Sequence, residues 1–286
     1  MTNSDFPQET IQNYRDKTFH FLEKHRLKTA GDAVQFVNER GLVFFWPSRD
    51  ILMPSLWGAT AGNRPVPNNH DDTGHITWRW KDDLLDKRRW YYAKTLRGKS
   101  TIISLDLLPY FYALSPNYGS PKDDLLIDFQ DGKISLEQKL IFDALEKEGQ
   151  LDTINLRKAA GFSSQERTYQ FTRALLELQR DFRILPVGIS ENGSWNYSYL
   201  YDLFHRYHPD LIDQSKQILE DNARREILKS YFISVGYASG KMLNKIFRWT
   251  RVNLKKSIDS LIKLYFIEAI YNELSDEEGF LITNLI

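Results

Sequence analysis

The sequence predicts a mainly α protein with short β-hairpins, an α+β chain assembled from small repeated units. Three observations predict it. Apolar residues recur at three-and-four spacing through most of the chain. An Asn-Gly pair separates two β-rich runs, the strongest short-range hairpin signal. The order of elements between residues 136 and 201 recurs after residue 214.

The middle stretch, 134–205, spells one unit completely. Leu136, Leu140, Ile141, Ala144 and Leu145 mark an amphipathic helix that stops at Gly149. Asp152 caps a short second helix ending at Gly161. A third opens at Ser163, with Glu166 placed for a reciprocal cap, and runs to about Arg180 on an apolar face of Tyr169, Phe171, Leu175, Leu176 and Leu178. Two β-rich runs, 184–188 and 195–200, flank Glu191-Asn192-Gly193. Three helices and a hairpin make a winged helix, whose third helix is the one offered to a DNA major groove. That places Gln165, Arg167 and Thr168 as candidates for contacting base edges.

Residues 214–286 repeat the order. Leu219 to Val235 is a first helix, Ser239 caps a second, Thr250 starts a third, and β-rich runs flank Ser275 to Glu278. Between Lys241 and Lys263 there are seven basic residues and one acidic, so Arg251, Lys255 and Lys256 are candidate phosphate contacts.

The N-terminal part, 1–118, carries much of the aromatic content. Helices are predicted from about Gln8 to Lys28, from Asp32 to Arg40, and from Ser55 to Thr60. Leu42 to Trp46 reads as a buried strand closed by Pro47, and 62–69 as a loop. From Arg79 to Lys99, eight basic residues face three acidic ones among many aromatics. Arg79, Lys81, Lys87, Arg88, Arg89 and Lys94 are therefore candidates for phosphate contacts combined with base stacking. The competing reading is a strand pair with inward aromatics, covered by Lys and Arg stems. Residues 115–133 and 207–214 read as linkers.

Composition limits what the chain does. Its 286 residues hold 38 basic and 38 acidic side chains, so nucleic acid must be met by local patches rather than bulk charge. With no cysteine, thiol chemistry and thiolate metal sites are excluded. Neither a leader nor a membrane span is legible, which leads to the expectation of a cytoplasmic protein. His70, Asp71, Asp72 and His75 match no metal-ligand spacing, and neither metal nor cofactor is expected. Asp50 and Asp106 are isolated carboxylates, read as caps or turn formers and kept as possible general bases.

Several stretches resemble the AlkZ-type (YcaQ-like) winged-helix DNA glycosylases, as an AlkZ-related branch: 36–41, 80–82, 87–94, 107–114 and 185–188, together with Gly41 to Pro47. The resemblance implies three tandem winged helices in a C-shape around duplex or damaged DNA. It also implies a Gln-aliphatic-Gln or Gln-aliphatic-Asp motif after the Gly-Leu step, supporting cleavage of the N-glycosidic bond of an alkylated base. This chain departs at that motif. Aligned from Gly41, its two polar positions fall on Phe44 and Trp46.

Three functions remain open at this point. One is a repair-related DNA binder without the motif's chemistry, with Phe44, Phe45 and Trp46 wedging into distorted DNA. The second is an active glycosylase whose catalytic group lies elsewhere, Asp50 and Asp106 being the first to try. The third is a transcription regulator or a winged-helix interaction scaffold. The sequence leaves the oligomeric state open.

Overall fold

The computed structural model describes residues 6–69, 72–117, 119–193, 197–272, 276–283 and 285. One arrangement recurs three times: helix, short strand, two helices, then a strand pair. In the N-terminal unit these are α2 (Ala30–Arg40), β1 (Leu42–Phe44), α3 (Leu56–Ala61), α4 (Ile76–Asp83), β2 (Tyr91–Ala93) and β3 (Thr101–Ile103), preceded by α1 (Gln8–Thr18). Two helices follow, α5 (Leu108–Ala113) and α6 (Pro121–Gln130). The middle unit holds α7 (Leu136–Glu148), β4 (Leu151–Asp152), α8 (Thr153–Ala159), α9 (Thr168–Arg180), β5 (Ile184–Ser190) and β6 (Ser198–Leu203). After α10 (Phe204–Tyr207) and α11 (Pro209–Lys216) comes the last unit. It comprises α12 (Glu220–Val235), β7 (Tyr237–Ser239), α13 (Gly240–Phe247), α14 (Arg251–Lys263), β8 (Ile267–Asn272) and β9 (Glu277–Ile282). Each sheet is antiparallel, and in each the last strand lies between the other two.

Local chemistry explains the boundaries. Thr29 and Asp32 form a reciprocal cap at the start of α2, and Ser135 with Gln138 does the same for α7. Asp152, Ser239 and Thr250 cap α8, α13 and α14 through their side chains, as the sequence predicts. Gly41 ends α2 at φ 71°, where a β-carbon would collide with the Ser230 hydroxyl of α12. That close approach lets the Ser230 hydroxyl donate to the Arg40 carbonyl at 2.8 Å.

The units share a core. One apolar cluster joins Phe44, Tyr91 and Phe111 to Phe182 and Phe204, and on to Tyr231, Phe232 and Leu243. Rings stack across the boundaries, Tyr91 on Phe182 at 5.2 Å and Tyr112 on Phe204 at 4.7 Å between centroids.

Several expectations need correction. The first helix stops at Thr18 because Phe19 turns into the core and His20 takes φ 58°. The strand pair read over Arg79 to Lys99 holds only for its second half, where the buried Tyr91 and Tyr92 lie in β2 against β3; its first half is the helix α4, with Trp80 and Lys81 on the buried side. Both supposed linkers contain helices, α6 and α11, and α6 is anchored where Asp128 meets the buried guanidinium of Arg183. No reciprocal cap forms between Ser163 and Glu166. A 3-10 turn, Gln165–Arg167, intervenes, and the Arg157 guanidinium ties Ser164 and Thr168 together. Glu277 and Glu278 lie in β9 rather than in the turn. Trp195, Asn196 and Ser275 lie outside the described residues.

Candidate nucleic-acid interface and the motif position

A concavity of about 780 Å³ lies where the three units meet. The β2–β3 hairpin supplies Lys94 and Arg97, and α9 supplies Tyr169, Arg173, Glu177 and Arg180. The last unit contributes Phe247, Arg248 and Trp249 from the end of α13. Arg173 pairs with Glu177 and Arg180 with Asp181, both at 3.0 Å. Lys94, Arg97 and Arg248 have no ion pair among the described residues. Tyr169 is 73% exposed, and Trp249 stacks on Phe247 at 4.6 Å. Three non-glycine residues on this wall, Arg97, Phe182 and Arg248, hold a left-handed backbone at φ 56°, 55° and 53°. Such a conformation is costly and persists only where the surroundings fix it.

The motif position lies at the end of β1. Phe44 and Phe45 are buried, which withdraws them as DNA wedges: both rings belong to the core on either side of the sheet. Trp46 is half-buried, 6.0 Å from Trp78 and 5.7 Å from His75 between ring centroids. The Trp57 indole donates to His75 Nδ1 at 3.2 Å. Asp72 is taken up by Arg64 at 2.7 Å and by the Gly74 amide. Among the described residues no group of three metal-capable side chains forms; His70 and Asp71 lie outside them.

Beside this position stands a site that the sequence reading misassigned. Lys81 is expected at the DNA backbone, but its side chain is 1% exposed. Its ammonium lies 4.6–5.9 Å from the ring centroids of Phe45, Trp78, Tyr92, Tyr197 and Tyr199. It donates to Asp82, to the Tyr199 hydroxyl at 2.6 Å and to the Tyr197 hydroxyl at 3.2 Å. Tyr197 in turn donates to Asp82 at 3.1 Å, and the hydroxyls of Tyr199 and Tyr92 lie 3.2 Å apart. Burial draws the Lys81 ammonium below its usual range, against the pull of Asp82. Burial likewise raises the Asp82 carboxyl, against Lys81 and Tyr197. The phenols of Tyr92, Tyr197 and Tyr199 are all driven up by desolvation. The signal available in the sequence was Lys81 falling beside Trp80, three residues after Trp78, on a helical repeat.

The remaining candidates divide by their partners. Lys87 and Arg89 are exposed, and Arg88 lies over the Tyr207 ring at 4.5 Å. Arg79 is exposed and pairs with Asp83 at 3.3 Å. Arg167 donates to the Gly161 carbonyl at 2.9 Å and stacks on Phe162 at 4.2 Å, while Gln165 is exposed. The Thr168 hydroxyl is used by Arg157 and the Gln165 carbonyl. Lys255 pairs with Asp259 at 2.7 Å, Lys256 with Asp221, and Arg251 is exposed. Asp50 and Asp106 are exposed, and neither has a side-chain partner among the described residues.

Three helix-and-sheet units on one core form a fold that a DNA glycosylase also has. The structure superposes on the Streptomyces sahachiroi DNA glycosylase AlkZ with a TM-score of 0.59 and 11% identity, over 98% of this chain and 70% of that one. The AlkZ-related family model matches residues 27–248, and the chain belongs to that family. No curated protein matches the sequence. Among the described residues no helix is long and apolar enough to cross a membrane.

Proposed function

We propose that the chain is a DNA-binding protein of the repair-glycosylase type, holding duplex DNA along the cleft between its three units. The carrying observation is the set of cations without an ion pair among the described residues, Lys94, Arg97 and Arg248, set beside the exposed ring of Tyr169 and the half-buried ring of Trp249. Phosphates take the cations, and unstacked or distorted bases take the rings. The strained backbone at Arg97 and Arg248 fits residues kept for contact rather than for packing. We read the three units as winged helices, at 1–118, 134–205 and 214–286, and place the protein in the cytoplasm with DNA.

Catalysis through the family's motif is not part of this reading. Cleaving an N-glycosidic bond needs a polar group to position water and stabilise charge developing on the sugar. Phe44 and Trp46 offer neither. A gel shift across salt concentrations tests the binding: affinity must fall steeply as salt rises. Binding that is absent at low salt, or indifferent to salt, contradicts the proposal.

A further inference from the structure

We propose that Asp82 is a catalytic carboxylate, activating water for release of a base from DNA, and that Lys81 is its positioning residue; this rests on the DNA-binding reading above. Asp82 is placed for this task. Its side chain is 14% exposed, and it lines a cavity of about 630 Å³ shared with Gln150, Tyr197 and Tyr207. Lys81 lies behind it, out of reach of solvent. One carboxylate oxygen, Oδ1, takes the bonds from Lys81 and Tyr197. The other, Oδ2, accepts no hydrogen bond from any described residue. A carboxylate fixed through one oxygen and open at the other is suited to hold a water molecule.

The step balances without a further reagent. The water oxygen bonds to the sugar C1′ as the C1′–N bond breaks. The base departs with the bonding electrons, and the water proton passes to Asp82. A base that is already cationic leaves neutral and needs no acid. That suits this site, since burial makes the surrounding phenols poor proton donors. The charged groups sharing the cavity are Asp83, held by Arg79, with Asp86 and Lys87. Asp50 and Asp106 have no comparable support.

The test uses the full chain and a duplex containing one N7-methylguanine, with alkali cleavage reporting base release. The unaltered protein is expected to release the base. Asp82→Asn should lower the rate at least 100-fold while DNA affinity stays within about twofold. The acid limb of the pH–rate profile should report Asp82. Lys81→Met should move that limb to higher pH, because removing the ammonium makes the carboxyl harder to ionise. Tyr197→Phe, a milder change, should slow release about tenfold and move the limb the same way. Binding without release by the unaltered protein overturns the role of Asp82 alone. Undiminished release by Asp82→Asn, or by Tyr197→Phe with an unmoved profile, overturns it too. Absence of both binding and release removes the DNA reading with it.

Discussion

The central cleft and the cavity at Asp82 are both bounded by the N-terminal and middle units, yet they handle charge differently. In the cleft, Lys94 and Arg248 are exposed and Arg97 is half-buried, none of them with an ion pair among the described residues. At Asp82, a carboxylate and an ammonium are enclosed by aromatic rings and bonded to one another. Unpaired exposed cations lose little by exchanging water for phosphate. A desolvated pair gains strength from its low-dielectric surroundings and is costly to break. The first arrangement is suited to holding DNA, the second to fixing a reacting group.

The contrast is broken most severely at Lys81. Lys81→Met leaves the largely enclosed Asp82 without its cation and a buried site without its charge, so it should lower stability by about 3 kcal/mol. Chemical denaturation checks this; a loss below about 1 kcal/mol would mean that the cage is indifferent to its charge. Phe44→Gln, a change toward the family's motif, should cost a similar amount, about 3–5 kcal/mol, since it replaces a core ring by an amide. Restoring the motif therefore requires more than its side chains.

His208 gives an effect of intermediate size. It is 7% exposed, its Nε2 has no partner among the described residues, and burial with the nearby Arg88 lowers its pKa to about 4. The unfolded chain takes up this proton near the ordinary value of about 6.5. Stability is thus fully retained above that pH and falls as pH drops toward 4, by up to about 3 kcal/mol. Thermal unfolding at pH 7 and pH 4.5 should show the loss, reduced in His208→Gln. An equal loss in both proteins would assign it to other groups.

Arg167→Ala should have the smallest effect. Its guanidinium is occupied by the Gly161 carbonyl and the Phe162 ring, so stability should change by about 1 kcal/mol or less. Sequence preference in DNA binding should not change; a loss confined to one DNA sequence would show that Arg167 reads a base after all.

The middle and last units were legible because their caps and apolar spacing agree with their folds. Asp152, Ser239 and Thr250 sit where their side chains bond to backbone amides. The N-terminal unit was harder to read. Its third helix, α4, is short and carries Trp78 and Trp80, residues equally at home in strands. Counting charge placed Lys81 with Lys87 to Arg89, although one is caged and the others are exposed. Burial of a lysine is decided by partners distant in sequence, here Tyr197 and Tyr199, more than 110 residues away. The central cleft was invisible for the same reason: its cations come from all three units and meet only after folding.

The most direct test of this account is the salt dependence of duplex binding by the unaltered protein and by Arg97→Glu with Arg248→Glu. Affinity should fall at every salt concentration, and the slope of log affinity against log salt should become shallower by about two, one for each lost phosphate contact. The loss should be the same on unrelated duplex sequences, because phosphate contacts carry no sequence information. An unchanged affinity and slope in the double variant would contradict the cleft as the DNA-binding surface.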